Sequence, residues 1–201
     1  MIAIIDYGAG NLKSVENASL FLGKKVKVTD SVNTIKKAKK IVLPGVGAFD
    51  DTMRELSKRG IAEAIKESQK SGKLYLGICL GLQVLFEGSD EGRVSGLGVI
   101  KGRVRRFKEE DGIKVPHIGW NTVHFTSCMG RLTEGIKDEA YFYFDHSYYI
   151  FPEDAKIVAG TTEYGMNFVS MIKRENIYGM QFHPERSQAN GLKMLENFIK
   201  L

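Results

Sequence analysis

The chain has 201 residues, 43% hydrophobic and 26% charged, ordinary proportions for a globular protein with enough length to bury a substantial core. Its 29 basic and 24 acidic residues leave a net charge of +5, but the signs are interleaved, as in KESQKSGK and FKEEDGIK. With no binding motif beside it, that charge argues against a nucleic-acid role and suits a docking face for an acidic protein partner. No apolar run reaches the roughly 18 residues of a membrane span. The start, MIAIIDYGAGN, lacks the basic and apolar regions of a secretory signal, so a cytoplasmic location is expected.

The two cysteines, Cys79 and Cys128, form no CxxC pair, and a disulfide is not expected in a reducing compartment; Cys128 reads as an ordinary thiol. His117, His124, His146 and His183 are scattered without zinc-site spacing, so neither a metal nor another cofactor is expected.

Taken in chain order, residues 2–6 read as a short strand running into a glycine turn. An amphipathic helix over 12–22 follows, closed by Gly23. Val26 and Val28 alternate with lysines, as in a half-buried strand. The cluster Lys36-Lys37-Ala38-Lys39-Lys40 reads as a solvated helix end. Ile41-Val42-Leu43 is a third strand that ends at Pro44, and helical periodicity then runs over 51–70 with an interruption at Gly60. Residues 74–78 form a fourth, buried strand, with a helix starting near Leu80. This β-α-β-α-β order predicts parallel strands joined by right-handed crossovers.

From about Gly98 the character changes to short strands: VIKGRVRRF, VPHIGW, YFYFDHSYYIF, KIVAGTTEY and FVSMIKRE. Another strand is expected over 177–182 and a closing amphipathic helix over 189–201. With no repeat or linker, the expectation is one domain over 1–201, a three-layer α/β fold with a mixed, mostly parallel sheet.

Sites in such sheets form at the carboxyl ends of parallel strands, where this chain places Gly8-Ala9-Gly10-Asn11, Pro44-Gly45-Val46-Gly47 and Gly77-Ile78-Cys79-Leu80-Gly81. The last has the form of a nucleophile elbow with cysteine in place of serine, whose sharp turn needs small neighbours. The following helix N-terminus would favour thiolate over thiol. His183-Pro184-Glu185 supplies a base and its orienting carboxylate, which alternate positions of an extended segment would project to one side. A thiolate attacking an amide generates an oxyanion; the Leu80 N–H and a glycine-flanked N–H at Val46 or Gly47 are candidate donors. Each segment also has a plain structural reading: a buried core cysteine, a surface turn and a tight glycine turn.

Together, and in this order, GICLGLQ and QFHPERS resemble the class I (triad) glutamine amidotransferases, with Cys79, His183 and Glu185 as the catalytic residues. PGVGAF, HIGWN, YFDHSYY and GTTEYG extend the resemblance along the chain, closest to the glutaminase subunits of imidazole glycerol phosphate synthase. The resemblance implies a flavodoxin-like domain that hydrolyses glutamine through a cysteinyl thioester. It implies ammonia delivery to a (β/α)8-barrel cyclase partner in a heterodimer making imidazole glycerol phosphate and aminoimidazole carboxamide ribotide for histidine. By motif position, Gln83, Ser147, Tyr148 and, for the α-amino group, Glu91 would hold glutamine. Asn11, Trp120, Tyr143 and Arg186 would lie at the docking face, with Arg186 standing where the family usually has lysine.

The rival glutaminase of pyridoxal phosphate synthase carries a GGES-like segment where this chain has PGVG. A dinucleotide-binding reading of Gly8-Ala9-Gly10 fails because its third glycine would fall at Lys13. A non-catalytic scaffold role is opposed by the intact Cys79, His183 and Glu185, and a thiol hydrolase of other γ-glutamyl compounds is the remaining alternative.

Overall fold

A computed structural model describes residues 1–109 and 113–201, apart from the side chains of Cys128 and Met129; the expectation for the Cys128 thiol therefore lies outside the described residues. The first half winds β1 (Ile2–Ile5), α1 (Leu12–Phe21), β2 (Val26–Thr29), α2 (Val32–Lys37), β3 (Lys40–Gly45), α3 (Phe49–Lys58), α4 (Ile61–Lys70), β4 (Leu74–Cys79) and α5 (Leu80–Gln83). Gly60, left-handed at φ 69°, divides α3 from α4, as its place in the helical pattern foretold.

The second half adds β5 (Gly88–Ser89), β6 (Gly102–Arg106), β7 (His117–Phe125), β8 (Ala140–His146), β9 (Tyr148–Pro152), β10 (Val158–Glu163), β11 (Asn167–Arg174), β12 (Ile177–Met180) and α6 (Gln188–Lys200). The sheet runs β2-β1-β3-β4-β12-β11-β10-β7-β8, with β9 bridging β11 to β6. Its first five strands are parallel and those from β11 to β8 antiparallel, with β5 lying parallel to β6 off that path, so the expected mixed α/β sheet is present.

Alternation along the parallel strands builds the three layers. Ala3, Ile5, Ile41, Leu43 and Tyr75 face one side, packing with Ile35, Met53, Leu56 and Ile65 of α2, α3 and α4. Ile4, Val42, Leu76 and Ile78 face the other, packing with Val15 of α1 and Met194, Leu195 and Phe198 of α6. Among the described residues no helix is long and apolar enough to cross a membrane.

Three expectations are corrected. The lysine cluster is a helix end only as far as Lys37; Lys40 opens β3, half-buried, and its Nζ donates to the Phe198 and Ile199 carbonyls at 3.0 and 2.6 Å. Burial lowers its pKa, and the ammonium closes the C-terminus of α6, where a cation and donors are both wanted. Lys40→Met should therefore cost about 1–2 kcal/mol in chemical denaturation; an unmoved midpoint would mean the contact contributes nothing. Second, the aromatic run 141–151 is two strands, because β8 pairs with β7 whereas β9 pairs with β6 and β11. The chain changes neighbours at Ser147. Third, the strand expected over 177–182 stops at Met180.

Candidate active site

Three neighbouring parallel strands end at one edge, and each carries one of the segments singled out in the sequence. In register, Gly45 of β3 lies beside Cys79 of β4, and Met180 of β12 lies beside Ile78. The chain leaving β12 therefore passes the cysteine as Gln181-Phe182-His183, and the chain leaving β3 passes it as Val46-Gly47.

Cys79 has φ 52° and ψ −110°, a conformation that costs any residue with a Cβ roughly 1–3 kcal/mol. Close packing holds it there. A side chain at Gly81 would run into the Leu43 carbonyl, and one at Gly77 into the Gly81 carbonyl. Cys79 is 6% exposed. The following helix, α5, is a single turn of four residues, so the expected helix-dipole support for a thiolate is weak. Side chains take over that role.

His183 is one of them. Its Nδ1 lies 2.9 Å from Glu185 Oε1, with both side chains almost wholly buried. The pair does not form as expected from an extended segment: Pro184–Arg186 is a 3-10 turn, begun by a proline whose fixed φ suits a first helical position. His183 Nε2 is buried, with the Cys79 sulfur nearby. Burial opposes charge on this ring, but the nearby Cys79 sulfur, followed by the hydrogen bond and charge of Glu185, outweighs it and pushes the pKa up to about 10. The arrangement favours the imidazolium form of His183.

Gln181, which the sequence reading passed over, donates from Nε2 to Cys79 Sγ at 3.5 Å. Asn11, expected at a docking face, reaches Glu185 Oε1 at 3.5 Å while its own Oδ1 accepts from Ser14 Oγ at 2.7 Å.

Cys79 opens into a cavity of about 280 Å³ that is also lined by Val46, Gly47, Leu80, Gln83, Glu91, Ser147 and Tyr148. That volume suits a small metabolite. All the residues expected to contact glutamine or its oxyanion thus border one space. Glu91 is not a solvated loop residue, since its Oε2 accepts from Phe49 N at 2.9 Å and ties the loop to the start of α3. Gln83 is 4% exposed and donates to the Tyr148 carbonyl at 3.0 Å. Gly47 has φ 104°, as a glycine permits, and Val46 beside it is 42% exposed. Behind this loop burial pushes the Tyr7 phenol up to about 12, outweighing the pull of Thr52 and the Val46 N–H.

Trp120 and Tyr143 pair across β7 and β8 with their rings 6.1 Å apart, and the Arg186 guanidinium lies 3.9 Å over the Tyr143 ring. Trp120 is exposed rather than a core aromatic, as are Ile118 and Tyr141 on the same strands. Alternation in HIGWN was the signal for Ile118, two positions before Trp120. Asp145, which borders the cavity, forms an ion pair with Arg186 at 3.4 Å.

A profile of the family described as Glutamine amidotransferase class-I matches residues 3–201. "Imidazole glycerol phosphate synthase subunit HisH" of Desulfitobacterium hafniense (strain DSM 10664 / DCB-2) is 52% identical, over 100% of this chain and 94% of that one. The protein of the same name from Moorella thermoacetica is 51% identical with the same coverage. Subunit HisH 1 of Methanococcus maripaludis is 47% identical over the full length of both. A solved structure titled as PurLQS from Thermotoga maritima is similar in fold, with TM-score 0.76 at 18% identity, over 99% of this chain and 97% of that one. A solved glutamine amidotransferase gives TM-score 0.77 at 16% identity, over 100% of this chain and 98% of that one. From its profile match and from relatives about half identical along its whole length, this chain belongs to the class-I glutamine amidotransferase family.

Proposed function

We propose that this chain is the glutaminase subunit of an imidazole glycerol phosphate synthase, hydrolysing glutamine to glutamate and ammonia for a cyclase partner. The observation that carries it is Cys79, strained into a cavity of metabolite size, with the buried His183–Glu185 pair acting on it. Relatives that bear the name of that synthase's subunit HisH support the choice of pathway.

In this reading glutamine enters with its side-chain amide toward Cys79. The thiolate adds to the amide carbon, and the oxyanion takes the Leu80 N–H and an N–H from the Val46-Gly47 segment. His183, held as imidazolium, gives its proton to the departing nitrogen, so ammonia leaves and a glutamyl thioester remains. The now neutral imidazole draws a proton from water, which attacks the thioester and releases glutamate. Gln83, Ser147, Tyr148 and Glu91 hold the amino-acid end. One domain over 1–201 performs this half-reaction; the other half belongs to the partner, read as a (β/α)8-barrel.

The docking face in this reading is the exposed strip of Ile118, Trp120 and Tyr141, with Tyr143 and Arg186 alongside. Apolar side chains grouped beside a cavity are a common mark of a protein interface. Asn11, read as part of the same face, also donates to Glu185.

Isolated, the chain should be a poor glutaminase. The Gly45–Val46 peptide has a glycine on one side and Gly47 on the other, so it can take two orientations, one of which aims the Val46 N–H at the oxyanion. Gaining one such donor is worth about 10²–10³-fold in rate. Steady-state glutaminase rates should rise from the chain alone, to chain plus cyclase, to the pair with the cyclase's nucleotide ligand. Equal rates in all three would remove the coupling, and no glutaminase activity in any would remove the function.

A further inference from the structure

Six hydrogen bonds connect the sulfur of Cys79 to Asn121 of strand β7, and one backbone carbonyl fixes the sense of them all. The Tyr148 carbonyl oxygen can only accept. It accepts from Gln83 Nε2 at 3.0 Å and from His146 Nδ1 at 2.7 Å. The Gln83 amide is thereby oriented with its NH₂ inward, and the second hydrogen goes to Gln181 Oε1 at 3.1 Å. That in turn leaves the Gln181 NH₂ facing Cys79 Sγ at 3.5 Å. On the other branch, a proton on His146 Nδ1 leaves Nε2 bare to accept from His117 Nδ1 at 3.0 Å. His117 Nε2 then accepts from Asn121 Nδ2 at 3.3 Å, an amide whose NH₂ also donates to the Glu163 carbonyl at 2.8 Å.

We propose that Gln181 stabilises the thiolate of Cys79, and that Gln83 and the chain Asn121–His117–His146 are positioning residues acting through the Tyr148 carbonyl. This deepens the proposed function, since it takes Cys79 as the nucleophile. A donor to a charged sulfur favours thiolate over thiol, and here no charge of its own accompanies it. Gln181 is fully buried, so its amide has no water to turn toward. Burial holds both imidazoles neutral, lowering His146 to about 3 and His117 to about 4, which keeps one bare nitrogen on each ring for the chain to use. Asn121 follows Trp120 directly on β7, so the chain begins beside the strip read as the docking face.

Among the described residues the ionisable groups around the sulfur and its cavity are His183 with Glu185 after β12, Tyr7 after β1, Asp145 and His146 on β8, Tyr148 on β9, and Glu91. None changes when the neutral amide of Gln181 is removed. The test is the pH dependence of iodoacetamide alkylation, in a full-length Cys128→Ser background where Cys79 is the remaining thiol. Gln181→Met should raise the alkylation midpoint by about one pH unit, the scale of one hydrogen bond to a charge. The rate at high pH, where all the thiol is ionised, should stay at the parental value. A merely structural role would instead slow alkylation at every pH without moving the midpoint.

His146→Ala should raise the midpoint by a smaller amount, and His146→Asn, whose amide can donate from the place of Nδ1, should restore it. In the Gln181→Met background His146→Ala should add nothing. If Gln181→Met fails to fold, Gln83→Leu removes the group that orients Gln181 and should raise the midpoint in the same way. An unmoved midpoint in the folded Gln181 or Gln83 variant overturns the proposal, as does a His146 effect that adds in full to Gln181→Met. Alkylation needs no glutamine, so a raised midpoint in a protein without glutaminase activity would refute the proposed function and leave this inference standing.

Discussion

Replacing Cys79 by alanine should abolish glutamine hydrolysis, a loss on the order of 10⁶-fold, the scale found when a hydrolase loses its nucleophile. No neighbouring group can substitute, because the other described side chains on the cavity offer no second thiol or amine. The fold should survive: alanine inherits the same positive φ of 52°, so backbone strain is unchanged and only a sulfur is removed from a nearly buried position. A glutamine analogue with an electrophile at the γ position should label Cys79 and spare Cys128. The same substitution has a second readout. Burial is the largest influence on His183 and disfavours its charged form; the Cys79 charge is the largest of those that favour it. Without that charge the folded-state pKa must fall below about 10, so the ring should lose its proton at lower pH when followed by NMR. Full activity in the variant, or labelling at Cys128 alone, would end the assignment of Cys79.

The parallel half of the fold was legible because its chemistry is local and repetitive. Short, β-branched apolar runs such as Ile41-Val42-Leu43, closed by Pro44, read as buried strands, and the glycines around Cys79 have no place in the periodicity. The family profile and the named relatives agree with that reading at the level of fold and function. What escaped depends on partners far away in sequence. Nothing local in Ala38-Lys39-Lys40 says that the last lysine meets the carbonyls of Phe198 and Ile199. The run from Tyr141 to Phe151 is aromatic or aliphatic on both sides of Asp145-His146-Ser147, and three polar residues can be a break inside one strand as readily as a change of sheet neighbours, which depends on distant partners. The segment from His183 to Glu185 suggested alternation, but Pro184 is equally at home in the turn it actually begins. Gln181 could have been noticed: it lies two positions before His183, at the end of the strand that neighbours the cysteine's own.

His183→Ala should slow thioester formation by about 10²–10⁴-fold, the usual contribution of a positioned proton-transfer group. Glu185→Gln should cost less, and the geometry says why. In many such pairs the amide that replaces a carboxylate turns its NH₂ toward the ring and forces the wrong tautomer. Here Glu185 Oε1 lies within reach of both His183 Nδ1, at 2.9 Å, and the Asn11 amide, at 3.5 Å. Two donors converging on one position favour an oxygen there, so glutamine should keep its carbonyl toward the ring and preserve the proton on Nδ1. What it loses is the charge. That charge raises the His183 pKa, so its removal should lower it and shift the high-pH limb of the rate profile downward. Asn11→Ala alone should be mild, but combined with Glu185→Gln it should cost more than the sum of the two, because nothing then holds the amide in place. Single-turnover thioester formation in the presence of the proposed cyclase partner measures all four proteins. Should Glu185→Gln prove more damaging than His183→Ala, the carboxylate would have to take a direct part in proton transfer, and the scheme in which it only orients and charges the imidazole would fall.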